Sequence, residues 1–555
     1  MSTTTTTIVK PASVTKLSVS ADQFRAIELE PIGFSAPTEG TPVQKRQDES
    51  GAQPTHDASD LSTENTVPEI SKWKTMIIIG TVASVTLINS MLAGILTVAL
   101  PTMARDLNLS EGLILWPASV SSLACGCTLL LSGSIADVVG GRTLYLSGAF
   151  LLTITTLACG LSKTGLQLIL FRAAQGVALS LTLPSSVKLI TSNIATGTSR
   201  NIAFASLGAA FPVGATVGLV MGGLFVQSIG WQYGYYIGAV LTFVVFIISI
   251  FGIPAERKLV KQDARIILQR LKSEIDWIGI ALLSTSLGMY SYVLSVLASD
   301  TAKFVTPASL AIFSVGTSLF IAFAFYSRRQ EKLGRKVVIP PSIWRNPVFT
   351  SLCITVFFMW GAFNAVPYFL TLYFQSVQGI SGLQTSIRFL PMVFSGIATN
   401  VLTGWLVKRV RADIMLLGST VLSAISPLLM AIIQPEWSYW RCAFIAVLFA
   451  PISIDVLYTI ANLVITSIFP PKTHGLAGGV FSTLSNFGNS FGLAITAVIA
   501  SSITLAKHGK DESEAEKLMA GYRATFWFCF GAYLLVLCIV GFGLRKIGKV
   551  GIKQE

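Results

Sequence analysis

In the run LFAPISIDVLYTIANLVI, residues 448–465, Asp455 stands among residues apolar enough to lie in lipid. A carboxylate at the centre of a bilayer costs about 2.5–3.5 kcal/mol even on lenient insertion scales, so such a residue marks a functional site by default. Tyr458 and Asn462 follow at i+3 and i+7, which puts the three on one face of a helix of about 3.6 residues per turn. That stripe is expected to face a watery cavity. A carboxyl group that passes between wet and apolar surroundings, or gains and loses a cationic neighbour, can load and release a proton near neutrality. Arg172, Gln175 and Thr182 make a similar stripe within 166–191, with Lys188 further along. Both stripes have a plainer use, which is to pin helix to helix by buried hydrogen bonds. In FFMWGAFNAVPYFLTLYFQ, 357–375, Trp360, Asn364 and Tyr368 recur at i, i+4 and i+8. Aromatic rings around a few polar groups suit a bulky, partly apolar ligand; the competing use is an aromatic belt at the membrane interface.

Other chemistries find less support. The chain has no Gly-x-x-x-x-Gly-Lys-Ser/Thr phosphate loop, so ATP is not argued as an energy source. Its three histidines, His56, His474 and His508, fall in the N-terminal segment or in loops, which disfavours histidine catalysis and histidine-bound metal. An intramembrane aspartyl protease needs two facing acids, and Asp455 alone lies deep. Cys125, Cys127, Cys159, Cys353, Cys442, Cys529 and Cys538 lie in or beside apolar runs, with neither disulfide nor metal spacing. No enzyme, cofactor or metal is expected. The net charge of +13 invites thought of nucleic acid, but the basic residues sit in short loops between apolar runs, where topology explains them and no nucleic-acid partner is needed.

Residues of this kind must be held by helices that cross a bilayer. The chain is 52% apolar and only 12% charged, the balance of an integral membrane protein. Crossing the hydrocarbon takes about twenty mostly apolar residues, and that window yields fourteen spans, from 76–101 and 113–134 through 348–373, 384–406 and 440–468 to 523–544. Pro367 and Pro391 interrupt spans and are where a broken helix is looked for. Residues 1–75, rich in Ser, Thr, Pro and acids, are expected to be a disordered tail. Basic runs at 256–272, 328–336, 408–411 and 545–549 fall on one side of the membrane, which makes both termini cytoplasmic. The run 256–272 reads as an amphipathic helix on the inner surface, a linker without a binding role. The sequon Asn108-Leu109-Ser110 then lies outside, too near the second span for glycosylation to be expected.

An internal repeat is also legible. GATVGL (214–219) has the spacing of GNSFGL (488–493), and LITS (189–192) resembles VITS (464–467), in the same order and at nearly equal offsets. Gly214, Gly218, Gly488 and Gly492 would let helices pack closely. The division expected is a tail (1–75), a six-helix bundle (76–253), a basic linker (254–276) and two additional helices (277–326). A cytoplasmic loop (327–346), a second six-helix bundle (347–544) and a short tail (545–555) follow.

The hairpin GSIADVVGGR, 133–142, resembles the signature loop of the major facilitator superfamily through Gly133, Ala136, Asp137, Gly140 and Arg142. FRAAQGVALS (171–180) is similar to the family's fourth-helix motif, with Arg172, Gln175 and Gly176 matching. With fourteen spans and LTVALPTMARDL (96–107) closing the first helix, the chain resembles the fourteen-helix drug:proton antiporters, fungal toxin and metabolite exporters especially. That resemblance covers about 75–545 and implies an all-α polytopic fold, two six-helix halves plus an inserted pair, working by alternating access. It also implies a role for Arg172 in proton coupling and for the 133–142 loop in stabilising the outward-open state, with Asp137 and Arg142 governing the equilibrium.

Three departures qualify the match. Val138 and Gly141 stand where the family carries basic residues, which implies a weaker latch, and the fifth-helix antiporter motif survives only loosely as FPVGATVG (211–218). Leu92 stands where bacterial relatives often carry a first-helix aspartate, so a coupling proton must be carried elsewhere, with Asp455 the leading carboxylate. The expected activity is proton-coupled efflux of a small amphipathic organic compound, by a monomer in the plasma membrane or an internal one. Gln175, Trp360, Asn364, Tyr368, Tyr458 and Asn462 are expected to line the cavity. A proton-coupled importer or uniporter of a nutrient is the alternative within the class, and a membrane sensor that signals without turnover is the alternative outside it.

Overall fold

Backbone N–H and C=O groups in lipid find no water, so an apolar run must satisfy them internally, as a helix does. The computed structural model describes residues 71–109, 113–194, 198–254, 264–299, 306–407, 409–469, 474–507 and 513–545, and among these it contains helices and no strand. In chain order come α1 (Lys72–Asp106), α2 (Trp116–Val139), α3 (Gly141–Leu161), α4 (Gly165–Asn193), α5 (Thr198–Gln227) and α6 (Gln232–Gly252). A short α7 (Ala264–Glu274) and the pair α8 (Trp277–Ser299) and α9 (Pro307–Lys332) follow. The remainder is α10 (Pro347–Leu372), α11 (Gly382–Leu406), α12 (Ala412–Ile432), α13 (Ala443–Phe449), α14 (Ile452–Ile468), α15 (His474–Ala506) and α16 (Glu514–Gly543). Taking α13 and α14 together, 14 segments are long and apolar enough to cross a membrane. The expected tail up to residue 70, Ser110 of the sequon, the basic stretch 255–263 and the end from 546 lie outside the described residues.

Local chemistry sets the helix ends. Thr164, Thr306, Asn346 and Ser381 each accept a backbone N–H at a helix start, and Ser513 with Glu516 forms a reciprocal capping box before α16. The helix break is not where the sequence pointed. Pro367 and Pro391 sit inside uninterrupted helices, whereas the span expected over 440–468 divides at Ala450–Pro451 into α13 and α14. Pro451 has no N–H to give to the preceding turn, and its ring crowds the carbonyl there. Beyond Pro367, α10 runs into a π-helical turn, Tyr373–Val377.

Close packing follows the glycines. α1 crosses α5 where Gly94 meets the backbone of Ala215 and Leu219 and where a Cβ on Gly214 or Gly218 would run into the carbonyls of Leu87 or Met91. α10 crosses α15 in the same manner, with Gly488 against the Phe357 carbonyl and Gly492 against the backbone of Gly361. Among the first six helices, α3 lies against α4 and α6, and α2 against α4; further along, α16 lies against α10, α12 and α15.

The pair α8 and α9 is joined internally by Ser286 Oγ donating to Gly316 O at 2.9 Å and by Tyr290 OH donating to Thr317 Oγ1 at 3.1 Å. α8 rests on both α2 and α15. Ser284 Oγ donates to Cys127 O and Cys127 Sγ donates to Ser284 O, a reciprocal tie to α2. Asp276 fastens one end of the pair by accepting from Gly279 N, Tyr326 OH and Val338 N.

Candidate functional site

The break between α13 and α14 builds the surroundings of Asp455. Ser423 on α12, fully buried, donates its hydroxyl to Phe449 O at 2.9 Å and accepts Ser453 N–H at 2.9 Å, so one side chain bridges both sides of the kink. Asp455 follows in the first turn of α14. Its carboxylate lies over Gly396 of α11, where an added Cβ would stand 3.3 Å from Oδ2, and within hydrogen-bonding reach of the Asn400 side chain one turn on. Asn400 itself donates to Gly396 O at 3.0 Å. Tyr458 is 46% exposed although protein surrounds it, the signature of a cavity wall. Asn462, also exposed, donates to Tyr458 O at 2.9 Å. Replacing Ser423 by Ala strands Phe449 O and Ser453 N in an apolar core; the expected cost is about 1–3 kcal/mol, read as a lower unfolding temperature of the detergent-solubilised protein and absent in Ser423→Thr if its hydroxyl keeps both bonds.

Trp360 faces across to α5, its ring 6.1 Å from that of Phe211 in an edge-on contact, and Asn364 donates to Trp360 O at 3.0 Å. Tyr368 is enclosed, at 6% exposure, with its hydroxyl bonded to Thr97 of α1. α1 contributes residues that spacing in the chain did not single out. Between Ser90 and Leu100 every α1 residue is buried except Ala93, which is exposed, and half-buried Asn89 and Thr86 share its face. Leu92, where an acid stands in related motifs, is fully buried. On α15, Asn489 donates to Ser122 Oγ of α2 at 2.6 Å and leaves its Oδ1 buried without a partner.

Arg172 and Gln175 are not brought together with Asp455. Arg172 Nε donates to Pro117 O at 2.9 Å and Nη1 to Gln175 Oε1 at 2.6 Å, while Gln175 Nε2 donates to Thr156 Oγ1 at 3.0 Å. Gln175, expected in the cavity wall, is instead fully enclosed and spends its amide on Arg172 and α3. Among the described residues no carboxylate pairs with Arg172.

In the 133–142 hairpin, Asp137 pairs with Lys188 at 3.1 Å, and Lys188 also donates to Ala136 O at 2.6 Å. Gly140 joins α2 to α3 at φ +96°, a conformation that favours glycine. Arg142 donates to Ile250 O at 2.7 Å, and Gly133 lies beside Pro184.

The two helix groups touch firmly at one end. There Ser386 Oγ donates to Leu219 O at 2.5 Å, Gln375 Nε2 donates to Val98 O at 2.9 Å, and Gly223 abuts Gly382 and Leu383. A cavity of about 650 Å³ lies at this end among Arg105, Asn108, Gln375, Ser376, Thr504 and Tyr522, away from Asp455. Nearby, in the loop before α13, burial pushes the Tyr439 phenol up to about 12, so the neutral hydroxyl donates to Arg388 O at 2.7 Å.

A family model described as Major Facilitator Superfamily matches residues 82–492 and 392–553. The chain is 39% identical over 525 residues to MFS-type transporter 1 of Pyricularia oryzae, covering 87% of this chain and 85% of that one. It is 26% identical over 458 residues to Efflux pump terG of Aspergillus terreus, covering 80% and 83%. In fold it is similar to a bacterial homologue of the human lysosomal transporter Spinster in an inward-facing, occupied conformation, with a TM-score of 0.57 at 16% identity over 86% of this chain and 98% of that one.

Proposed function

Because the chain belongs to the Major Facilitator Superfamily and is thus an integral membrane transporter and not an enzyme, we propose that it exports a small amphipathic organic compound in exchange for protons. The halves 76–253 and 347–544 rock about the cleft between them. The observation that carries this reading is the Asp455 carboxylate held against Gly396 and Asn400 beside exposed Tyr458 and Asn462, an ionisable group set within a cavity wall. Trp360, Asn364, Asn89 and Ala93 line the opposing surfaces, rings and small polar groups that fit an amphipathic solute. Tyr368 and Gln175 act behind that surface. Arg172, held by neutral acceptors alone, supplies a positive charge in the first half.

Asp137 and Arg142 set the balance between the two orientations, with Asp137 held by Lys188 in the state described here. Basic runs on one side of the spans support cytoplasmic termini. A relative named as an efflux pump supports the export direction. The test is uptake into proteoliposomes under an imposed pH gradient, with a panel of apolar toxicants and metabolites beside polar nutrients. Accumulation of the amphipathic compounds in the acidic compartment, collapsed by a protonophore, is the expected result; gradient-independent equilibration of every compound would overturn proton coupling.

A further inference from the structure

The end at which the two helix groups touch is tied but not filled. Gln375, in the π-helical turn after α10, donates to Val98 O at 2.9 Å, and Tyr368 bonds to Thr97, so α10 is fastened to α1 there. Gln375 also lines the cavity of about 650 Å³ at this end, a volume that suits a drug-sized molecule, whose pockets run from about 300 to 1,000 Å³. The walls of the cavity belong to different helix groups. Arg105 and Asn108, at the end of α1, stand on one wall, and Phe369, Gln375, Ser376 and Tyr522, from α10, its π-helical turn and α16, on the other. Arg105, Asn108 and Ser376 are exposed, so the cavity opens to the medium, whereas Phe369 and Tyr522 are enclosed and meet edge-on with ring centroids 5.5 Å apart.

The charge of this site is one-sided. Among the described residues that line it, Arg105 alone is charged. Its guanidinium donates to Thr102 Oγ1 at a long 3.4 Å and pairs with no carboxylate among the described residues. The acids that neighbour the lining residues in the chain are engaged elsewhere. Asp106 accepts the Trp231 indole N–H at 2.9 Å, Glu514 pairs with Lys517 at 2.9 Å, and Glu516 closes the Ser513 capping box.

We propose that this cavity binds a ring-bearing organic anion, an aryl carboxylate or sulfonate, and that its occupation holds this end of the protein shut. The anionic group takes two parallel N–H bonds from the fork of Arg105, Asn108 and Ser376 supply neutral donors, and the ring lies against Phe369 and Tyr522. A ligand that touches both walls binds more tightly when they are close than when rocking has parted them. By the same difference in affinity it favours the closed arrangement. Such an anion therefore inhibits transport from the medium at this end, which the topology proposed above makes the outer medium. The site stands on the cavity and its charge alone, while its effect rests on the rocking of the two halves.

The test uses the full chain in lipid nanodiscs, without a pH gradient, and 2-naphthalenesulfonate as the probe. Equilibrium dialysis is expected to show saturable binding that weakens about tenfold in Arg105→Gln, as for loss of a charge-assisted pair, and as much in Ser376→Trp, whose ring fills the cavity. Both positions are exposed, so neither change disturbs a core. Neutral 2-naphthalenemethanol is expected not to distinguish Arg105→Gln from the wild type. Equal affinity of the sulfonate for wild type and both variants would overturn the site. The effect is read from nitroxides on Ser228→Cys and Gln384→Cys, exposed positions of α5 and α11 at this end, with Cys538→Ser removing the exposed native thiol. Ser386→Ala, which loses the bond to Leu219 O, serves as the background because it populates the open arrangement. Saturating probe is expected to move the distance distribution to its short component, and to leave it unmoved when Arg105→Gln is added. A distribution that stays broad with the probe bound would overturn the clamp while leaving the site. Failure of proton coupling touches neither result.

Discussion

Asp455→Asn is expected to abolish gradient-driven transport while leaving ligand binding measurable. The substitution keeps the volume of the side chain over Gly396 and its reach to Asn400, and it leaves the Ser423 bridge across the kink in place. What it removes is a carboxyl group that can take up and surrender a proton. An antiporter built on that group binds its compound, but cannot exchange it for protons when the group no longer titrates. Binding is followed by quenching of Trp360 emission, transport by accumulation in proteoliposomes, and both across a pH series. Wild-type-like pH dependence of transport in the variant would remove Asp455 from the coupling step and leave Arg172 and its bonded partner Gln175 as the place to look. The acid of α1, Asp106, stands at the helix's last residue and accepts the Trp231 indole N–H at 2.9 Å, while further up the helix Leu92 is buried and the exposed position beside it is Ala93.

That experiment turns on a residue legible in the sequence, because the signals that single out Asp455 are local. An acid in an apolar run is costly wherever the run folds, and i, i+3, i+7 spacing places Tyr458 and Asn462 with it on any helix. The fourteen spans were legible for the same reason, as were the glycines where α1 crosses α5 and α10 crosses α15. What periodicity does not encode is which neighbour a face meets. Gln175 lies on the same helix stripe as Arg172, and only the approach of Thr156 from α3 buries it. Asn400 and Gly396 carry no mark in the sequence until α11 brings them under Asp455.

The position of the break was hidden for a related reason. Pro367, Pro391 and Pro451 look alike in their apolar runs, and at Pro451 Ser423 on another helix takes up the backbone groups on both sides of the kink. Lipid and cleft also look alike to an apolar pattern. Ala93 and Phe394 are both exposed nonpolar positions, and their surroundings follow from the packing of α1 against α5 and of α11 against α5 and α14.

Gly218→Leu is expected to cause a near-complete loss of folded protein. Its Cβ would fall on the Met91 carbonyl and crowd the Met91 Cα at 2.8 Å, so the obstacle is backbone and no rotamer change relieves it. Overpacking a core costs about 1–3 kcal/mol where side chains can yield, and occasionally more; here helix must move from helix. Separating α1 from α5 also displaces Asn89 and Ala93 in the cleft and draws Leu219 away from Ser386 at the closed end. Gly208→Leu on the same helix, opening into empty space, is the matched control, with the same loss of a glycine but no collision. Fluorescence-detected gel filtration of the detergent-solubilised proteins should show a monodisperse peak for Gly208→Leu and little or none for Gly218→Leu, and a stable Gly218→Leu would mean that the α1–α5 crossing is looser than described. Gly492→Leu extends the argument to the other half: its Cβ would fall on the backbone of Gly361. If the two crossings are copies of one device, the two variants should fail alike, and each should be made worse by Gly→Ala at its neighbour, Gly214 or Gly488.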